Sequence, residues 1–172
     1  MISVCIATYN GEKYIREQLQ SILKHLSQND EVIISDDGSS DSTISVIEEL
    51  NDPRIKIFFN KGKHGFTHNF ENALKHVNGD YIFLSDQDDI WKNNKVETIM
   101  KYFDKYDLVI HDCETVNNKM ETIQKSRFEH FAIKPGFIAH LIKSRYLGCC
   151  MAFNKKMLNA ILPFPKKDNL VE

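Results

Sequence analysis

The feature that most constrains this sequence is a regular alternation of short apolar runs and amphipathic segments over its first 110 residues. Ile2–Ala7 is a β-branched apolar run, and the segment after it carries Ile15, Leu19 and Ile22 on one helical face. The pair of patterns recurs three more times and ends at Leu108–Ile110. Because strands that alternate with helices pair in parallel, this predicts an α/β fold with a mainly parallel, Rossmann-like sheet flanked by helices.

The predicted elements become less regular after residue 111. The alternation gives strands at Ile2–Ala7, Glu31–Ser35, Arg54–Phe59, Tyr81–Leu84 and Leu108–Ile110, with a helix between each successive pair. Beyond them we predict a hairpin turn at Asn117–Lys119, helices over Pro135–Lys143 and Lys156–Leu162, and a strand at Cys149–Phe153.

Size and charge narrow the class of protein. A chain of 172 residues with a formal net charge of −2 and no basic tail predicts one domain, residues 1–172, and argues against nucleic acid as a partner. No stretch approaches the ~20 apolar residues of a membrane span, so we expect a cytoplasmic protein. Peripheral contact with the inner face of the membrane stays open. The four cysteines lack CxxC spacing, which favours reduced, mostly buried thiols.

Two acidic clusters follow predicted strands. Asp36-Asp37-Gly38-Ser39 comes after the second strand and Asp86-Gln87-Asp88-Asp89 after the fourth. In a parallel sheet both clusters open at the carboxyl edge, where their carboxylates repel each other unless a cation compensates. An all-oxygen ligand set favours Mg²⁺ or Mn²⁺. The first cluster is equally well explained as a tight turn with a helix cap, whereas the second favours a metal site.

Three motifs together resemble glycosyltransferase family 2. They are Ala7–Asn10, Asp36–Asp41 and Phe83–Trp91, and their order and spacing are similar to those of the family's nucleotide-binding half. Gly148–Met151 is similar to its acceptor-side strand, so the resemblance covers nearly the whole chain. The last motif, with Lys95 a little later, is most similar to bacterial rhamnosyltransferase-like, polysaccharide-building members.

The resemblance implies a GT-A fold with a donor-binding half at residues 1–112 and the start of an acceptor-side half at 113–172. It implies inverting, metal-dependent transfer of a sugar from a UDP- or dTDP-linked donor to a hydroxyl of a saccharide or lipid-linked saccharide, in surface polysaccharide or O-antigen synthesis. The donor-binding residues it implies are Thr8, Tyr9, Asn10, Glu12, Asp36, Asp37, Asn69 and Asp86. Asp88 and Asp89 would bind Mg²⁺ or Mn²⁺, and Asp86 would touch the ribose or the metal.

The catalytic base is not identified by these motifs. The family's presumed base is an Asp in a His-Asp or Glu-Asp pair, and Asp168 has no such pair around it. We therefore expect the base beyond Glu172, and little or no sugar transfer by residues 1–172 alone.

Two other functions fit the residues less well. One is a nucleotide-sugar-binding module without turnover. The other is a sugar-phosphate nucleotidyltransferase, which generally has a Gly-rich loop with Arg and Lys where this chain has Thr8–Glu12. The role of Trp91, the single tryptophan, stays open between lining a sugar pocket and anchoring the next helix.

Overall fold

A six-stranded sheet organises the residues that the computed structural model describes, which are 1–133 and 146–165. The strands are β1 (Ile2–Thr8), β2 (Glu31–Asp36), β3 (Ile55–Phe59), β4 (Tyr81–Asp86), β5 (Leu108–Ile110), β6 (Thr115–Val116), β7 (Thr122–Gln124) and β8 (Met151–Asn154), of which β6 and β7 form a separate hairpin. The helices are α1 (Ile15–Leu23), α2 (Thr43–Glu48), α3 (Phe66–Leu74), α4 (Lys95–Met100), α5 (Arg127–His130) and α6 (Lys155–Ile161). Among them, none is long and apolar enough to cross a membrane.

The strand order of the main sheet is β3-β2-β1-β4-β8-β5. Strands β1 to β4 pair in parallel, as predicted, while β8 runs antiparallel to both of its neighbours. The alternation predicted the mainly parallel α/β sheet correctly. It did not reveal that a strand from the second half of the chain enters between β4 and β5.

The elements after residue 111 agree with the sequence in part. The turn at Asn117–Lys119 is confirmed, because the Asn117 carbonyl accepts from Met120 N at 2.9 Å. The strand predicted at Cys149–Phe153 begins two residues later, since Gly148–Cys150 forms a 3₁₀ turn in which Cys150 N donates to the carbonyl of Leu147 at 3.1 Å. The helix predicted over Pro135–Lys143 lies outside the described residues.

Each central strand buries both of its faces, and the alternation of side chains divides the core into two layers. On β1, Val4 and Ile6 pack into the layer that α1, α2 and α4 cover, while Cys5 packs into the layer that α3 and α6 cover. Strand β2 repeats this division with Ile34 on the first face and Ile33 on the second. Helices therefore cover both faces, which leaves the strand ends as the open edge of the sheet.

At the amino edge of the sheet, a buried carboxylate joins three segments. Glu31 is 1% exposed and accepts hydrogen bonds from Ser3 Oγ at 2.6 Å, Asn78 N at 2.8 Å and Lys56 Nζ at 2.7 Å. Burial alone would raise the pKa of Glu31, but these hydrogen bonds lower it to about 2. The ionised form therefore stabilises the folded chain.

We expect Glu31→Gln to lower the free energy of unfolding by about 1–3 kcal/mol at pH 7, because one of the two acceptor oxygens becomes an NH₂ group and the Lys56 ammonium loses its opposite charge. The folded pKa lies below the usual 4.5, so this contribution is complete above pH 4.5 and fades as the pH falls toward 2. Urea unfolding at pH 7 and pH 3 measures both effects. Glu48→Gln, on the exposed side of α2, is the control. If Glu31→Gln and the wild type differed in free energy of unfolding by as much at pH 3 as at pH 7, the lowered pKa of Glu31 would be contradicted.

Candidate functional site

The register of the parallel strands brings both acidic clusters to one edge. Thr8 at the end of β1 pairs with Asp36 on β2, and the preceding Ala7 pairs with Asp86 on β4. The segments after β2 and β4 therefore begin on either side of the β1 end. This is the carboxyl-edge convergence that the sequence predicted.

A cavity of about 860 Å³ opens between these strand ends and the start of α3. Its volume lies in the usual range for small-molecule sites. Six of the ten predicted donor and metal residues line it: Thr8, Tyr9, Asp37, Asn69, Asp86 and Asp88. Asn10, Glu12, Asp36 and Asp89 are not among the lining residues.

Asp36 is occupied by the turn that follows β2. The residue is 1% exposed, and its carboxylate accepts from Thr8 Oγ1 at 2.9 Å, from Gly38 N at 3.0 Å and from Ser39 N at 2.8 Å. Gly38 has a φ of 89°, a conformation that favours glycine. The sequence left open whether this cluster is a tight turn or a ligand site, and the hydrogen bonds of Asp36 are those of a tight turn. The Asp36 side chain therefore fixes the loop beside the cavity.

Asn10 and Glu12 connect the loop after β1 to the loop after β2. Asn10 Oδ1 accepts from Ser40 N at 2.8 Å, and Glu12 Oε2 accepts from Ser42 N at 2.8 Å. Their side chains thus satisfy backbone donors near the start of α2. They therefore support the loop that carries Tyr9, which lines the cavity, without lining it themselves.

Asp37 lines the cavity and holds the loop between β3 and α3. Its carboxylate accepts from Gly65 N at 2.7 Å and from Asn60 Nδ2 at 2.7 Å, and it lies 3.1 Å from His64 Nδ1. Burial opposes the ionised form, but the hydrogen bonds from Gly65 and Asn60 and the charge of His64 lower the pKa of Asp37 overall. Of the roughly four acceptor sites of a carboxylate, one remains for a ligand.

Asn69 offers the cavity a buried acceptor. The residue is 2% exposed, and its Nδ2 donates to the carbonyl of Thr8 at 3.1 Å. Its Oδ1 is buried and has no hydrogen-bond partner within residues 1–133 and 146–165. Since buried polar groups are normally paired, this oxygen marks a position where a ligand donor would bind.

Gln87 is a positioning residue that sequence reasoning did not identify. Its Oε1 accepts from Tyr9 N at 2.9 Å and its Nε2 donates to the Tyr9 carbonyl at 3.1 Å. A Cβ on Gly11 would overlap Gln87 Oε1, so a larger residue there would displace the Gln87 amide from Tyr9. Gln87, within the second acidic cluster, therefore fixes the loop after β1.

The second acidic cluster contains a group with the composition of a cation site. Ligand atoms of Asp86, Asp89 and Cys149 lie within 4.8 Å of one another, and Asp86 N donates to Asp89 Oδ2 at 3.3 Å. Asp88 is exposed and lines the cavity. Burial first, and then the neighbouring carboxylates, raise the pKa of Asp86. A divalent cation would relieve this repulsion, and the carboxylate oxygens, rather than the Cys149 thiol, are the ligands that fit Mg²⁺ or Mn²⁺.

Trp91 anchors the acidic loop. It is 2% exposed, its ring lies 5.7 Å from that of Phe83, and it does not line the cavity. Its Nε1 donates to Ser85 Oγ at 3.1 Å, and Gln18 Nε2 donates to the same oxygen at 2.8 Å. Of the two roles left open by the sequence, the structure supports the anchor.

We expect Asp89→Asn to raise the unfolding temperature of the metal-free protein at pH 7.5 by about 2–4 °C, the shift that corresponds to about 1 kcal/mol in a chain of this size. Burial raises the pKa of Asp89, so its ionised form disfavours the folded state. Because the pKa of Asp89 is raised in the folded state, the wild type loses stability as the pH increases through that pKa. The difference in unfolding temperature between Asp89→Asn and the wild type should therefore be smaller at pH 5 than at pH 7.5. Thermal unfolding in EDTA at both pH values measures this. A lower unfolding temperature for Asp89→Asn at both would contradict it.

Residues 3–162 match the family model described as glycosyl transferase family 2. The dTDP-rhamnosyl transferase RfbG of Shigella flexneri is 39% identical over 125 residues, which are 66% of this chain and 38% of that protein. The UDP-Glc:alpha-D-GlcNAc-diphosphoundecaprenol beta-1,3-glucosyltransferase WfgD of Escherichia coli is 29% identical over 98% of this chain and 66% of its own length. Across the first curated relatives that it matches, the chain spans 34% to 66% of their length.

The fold also resembles that of a solved glycosyltransferase. The mannosyltransferase PcManGT from Pyrobaculum calidifontis, in complex with GDP-Man and Mn²⁺, superposes with a TM-score of 0.71 at 21% identity, over 95% of this chain and 47% of that one. This likeness supports the predicted GT-A fold. The family match gives no support to the nucleotidyltransferase alternative. On the match over residues 3–162, the chain belongs to glycosyltransferase family 2.

Proposed function

We propose that this chain binds the donor for an inverting, metal-dependent transfer of sugar from a nucleoside diphosphate to a hydroxyl group. The observation that carries the proposal is the 860 Å³ cavity, whose wall includes Asp37, Asn69, Asp86 and Asp88. The similarity to a dTDP-rhamnosyl transferase and to a UDP-Glc-dependent glucosyltransferase supports a UDP- or dTDP-linked donor. Residues 1–112 would bind the donor, and residues 113–172 would begin the acceptor side.

The base and ribose would bind against the β1 and β2 ends. Tyr9 is 57% exposed and lines the cavity, so its ring is free to stack on a planar base. The remaining acceptor site of Asp37 would receive the imide N–H of uracil or thymine. Asn69 Oδ1 would accept from a donor hydroxyl, while Thr8, Asn10, Glu12 and Asp36 keep the surrounding loops in place.

The diphosphate would lie toward the second acidic cluster. Asp88 and Asp89, with Asp86 beside them, would hold Mg²⁺ or Mn²⁺. The grouping of the Asp86 and Asp89 carboxylates and the position of Asp88 in the cavity wall support this choice. When bound, the ion supplies charge stabilisation for the departing nucleoside diphosphate. The chain's own part is to hold these carboxylates close together in a partly buried loop, which limits reorganisation when the ion and donor bind.

The acceptor and the base that activates it belong to the wider proposal. The name of the WfgD relative includes a diphosphoundecaprenol-linked saccharide, which supports a saccharide or lipid-linked saccharide acceptor in surface polysaccharide or O-antigen synthesis. A lipid-linked acceptor would place the reaction at the cytoplasmic face of the membrane. Asp168 lies outside the described residues. A donor-hydrolysis assay distinguishes this enzyme from a binding module without turnover.

We expect UDP with Mn²⁺ to stabilise the chain by about 2.7 kcal/mol at 100 times the dissociation constant, and UDP with EDTA to stabilise it much less. Asp88→Asn should remove most of this gain, because it deletes a carboxylate charge with little change of shape. Thermal shift with UDP, dTDP and GDP-sugars, with and without Mn²⁺, measures the response. Asp104→Asn, an exposed residue after α4, is the matched control. An unchanged response of Asp88→Asn would refute the metal assignment.

A second expectation concerns the nucleobase. If Asp37 accepts the imide N–H, then CDP, which lacks that donor, should bind more weakly than UDP by about 1–3 kcal/mol. Isothermal titration calorimetry in the same Mn²⁺ buffer compares the two dissociation constants. Equal constants for UDP and CDP would rule out this role for Asp37 while leaving the metal assignment intact.

A further inference from the structure

Lys95 connects the donor-side loop to the acceptor-side turn. It is the first residue of α4, and its ammonium lies 4.2 Å from the centroid of the Trp91 ring. The same Nζ lies 3.4 Å from the carbonyl oxygen of Cys149, within the 3₁₀ turn before β8. Because Trp91 is 2% exposed and itself hydrogen-bonded to Ser85, the ammonium sits against a fixed support.

The charges around Lys95 are those of the second acidic cluster. Burial lowers the pKa of Lys95, and the Asp89 carboxylate opposes this by favouring the charged ammonium. Asp89 lies with Asp86 and Cys149 in the group described above. Lys92, the neighbouring cation in sequence, pairs with Glu114 instead. Lys95 does not line the cavity, whereas Asp86 and Asp88 do.

This arrangement sets the net charge of the site. Three carboxylates, Asp86, Asp88 and Asp89, and one ammonium leave two negative charges, the number that one divalent cation neutralises. A fixed positive charge near a cation site disfavours the free cation and favours an anion. Because Lys95 is partly buried, solvent ions screen these interactions less than they screen exposed pairs.

We propose that Lys95 determines the charge specificity of the site: it weakens binding of the divalent cation alone and strengthens binding of the diphosphate. Metal would then be retained mainly when a nucleotide diphosphate is present. The inference rests on the proposed donor-binding function, since it assigns a role to a residue that neither the cavity nor the metal ligands include.

The test separates this role from a merely structural one, because the two ligands should respond in opposite directions. In Lys95→Met, calorimetry should show Mn²⁺ alone binding about tenfold more tightly and UDP in EDTA about tenfold more weakly. Lys95→Arg keeps the charge and should restore both constants to within about threefold of the wild type. Loss of a support alone would weaken both ligands, and that result would overturn the proposal, as would two unchanged constants.

Matched variants keep the result interpretable. Lys101→Met removes a lysine just beyond the other end of α4, where the side chain is 66% exposed and pairs with Glu97, and both constants should stay at wild-type values. Emission from Trp91, the single tryptophan, reports whether the loop stays packed, and Lys95→Gln provides a second neutral variant should Lys95→Met unfold. If the wild type binds UDP but the signs are not opposite, the Lys95 role fails. If the wild type binds neither ligand, the donor-binding proposal fails and takes the Lys95 role with it.

Discussion

Like charges at the carboxyl edge of a parallel sheet are the constraint on which the rest of this structure depends. The shared register of β1, β2 and β4 places one acidic cluster on each side of the β1 end, and within the second cluster the neighbouring carboxylates raise the pKa of Asp86. The chain resolves the first cluster with hydrogen-bond donors, since Asp36 and Asp37 accept from the backbone of their own and the following loop. The second cluster keeps carboxylates of raised pKa beside a partly buried lysine. Negative charge that hydrogen bonds do not compensate is thereby concentrated in the second acidic cluster, which borders the cavity.

Hydrogen bonds between loops convert this edge into a fixed site. Gln87 binds both backbone groups of Tyr9, and Gln18 joins α1 to Ser85 at the end of β4. Such contacts hold side chains in place before a ligand arrives, which reduces the ordering that binding must supply. At the amino edge of the sheet the effect of a carboxylate is the opposite. There the ionised form of Glu31 is held by hydrogen-bond donors and stabilises the folded chain. The two ends of one sheet thus use the same chemical group for stability and for binding.

Sequence reasoning predicted what depends on local pattern. The apolar periodicity located β1 to β5, and the clustered carboxylates located the functional edge. It could not separate the roles of Asp36 and Asp37, because adjacent residues at a strand end differ only in the direction that the pleat gives their side chains. It also missed Cys149 as a neighbour of Asp86 and Asp89, because that contact joins residues about 60 apart in the chain and depends on β8 entering the sheet. The sequence identified Lys95 only as part of a motif similar to that of family members. It could not predict the contact of Lys95 with the Cys149 carbonyl, because that carbonyl lies in the same distant turn.

The insertion of β8 also means that residue 112 does not divide the main sheet into two structural units. Although β8 belongs to the second half of the chain, it pairs with β4 through Phe153 opposite Ile82 and packs into the same core as β1. The 3₁₀ turn before β8 is therefore held against the donor-side carboxylates by the main sheet itself. A segment of the proposed acceptor side is in this way fixed beside the second acidic cluster through backbone pairing. Any displacement of that turn would move Cys149 and its contact with Lys95 relative to Asp89, so the position of the turn and the charges of the second acidic cluster are linked through one strand.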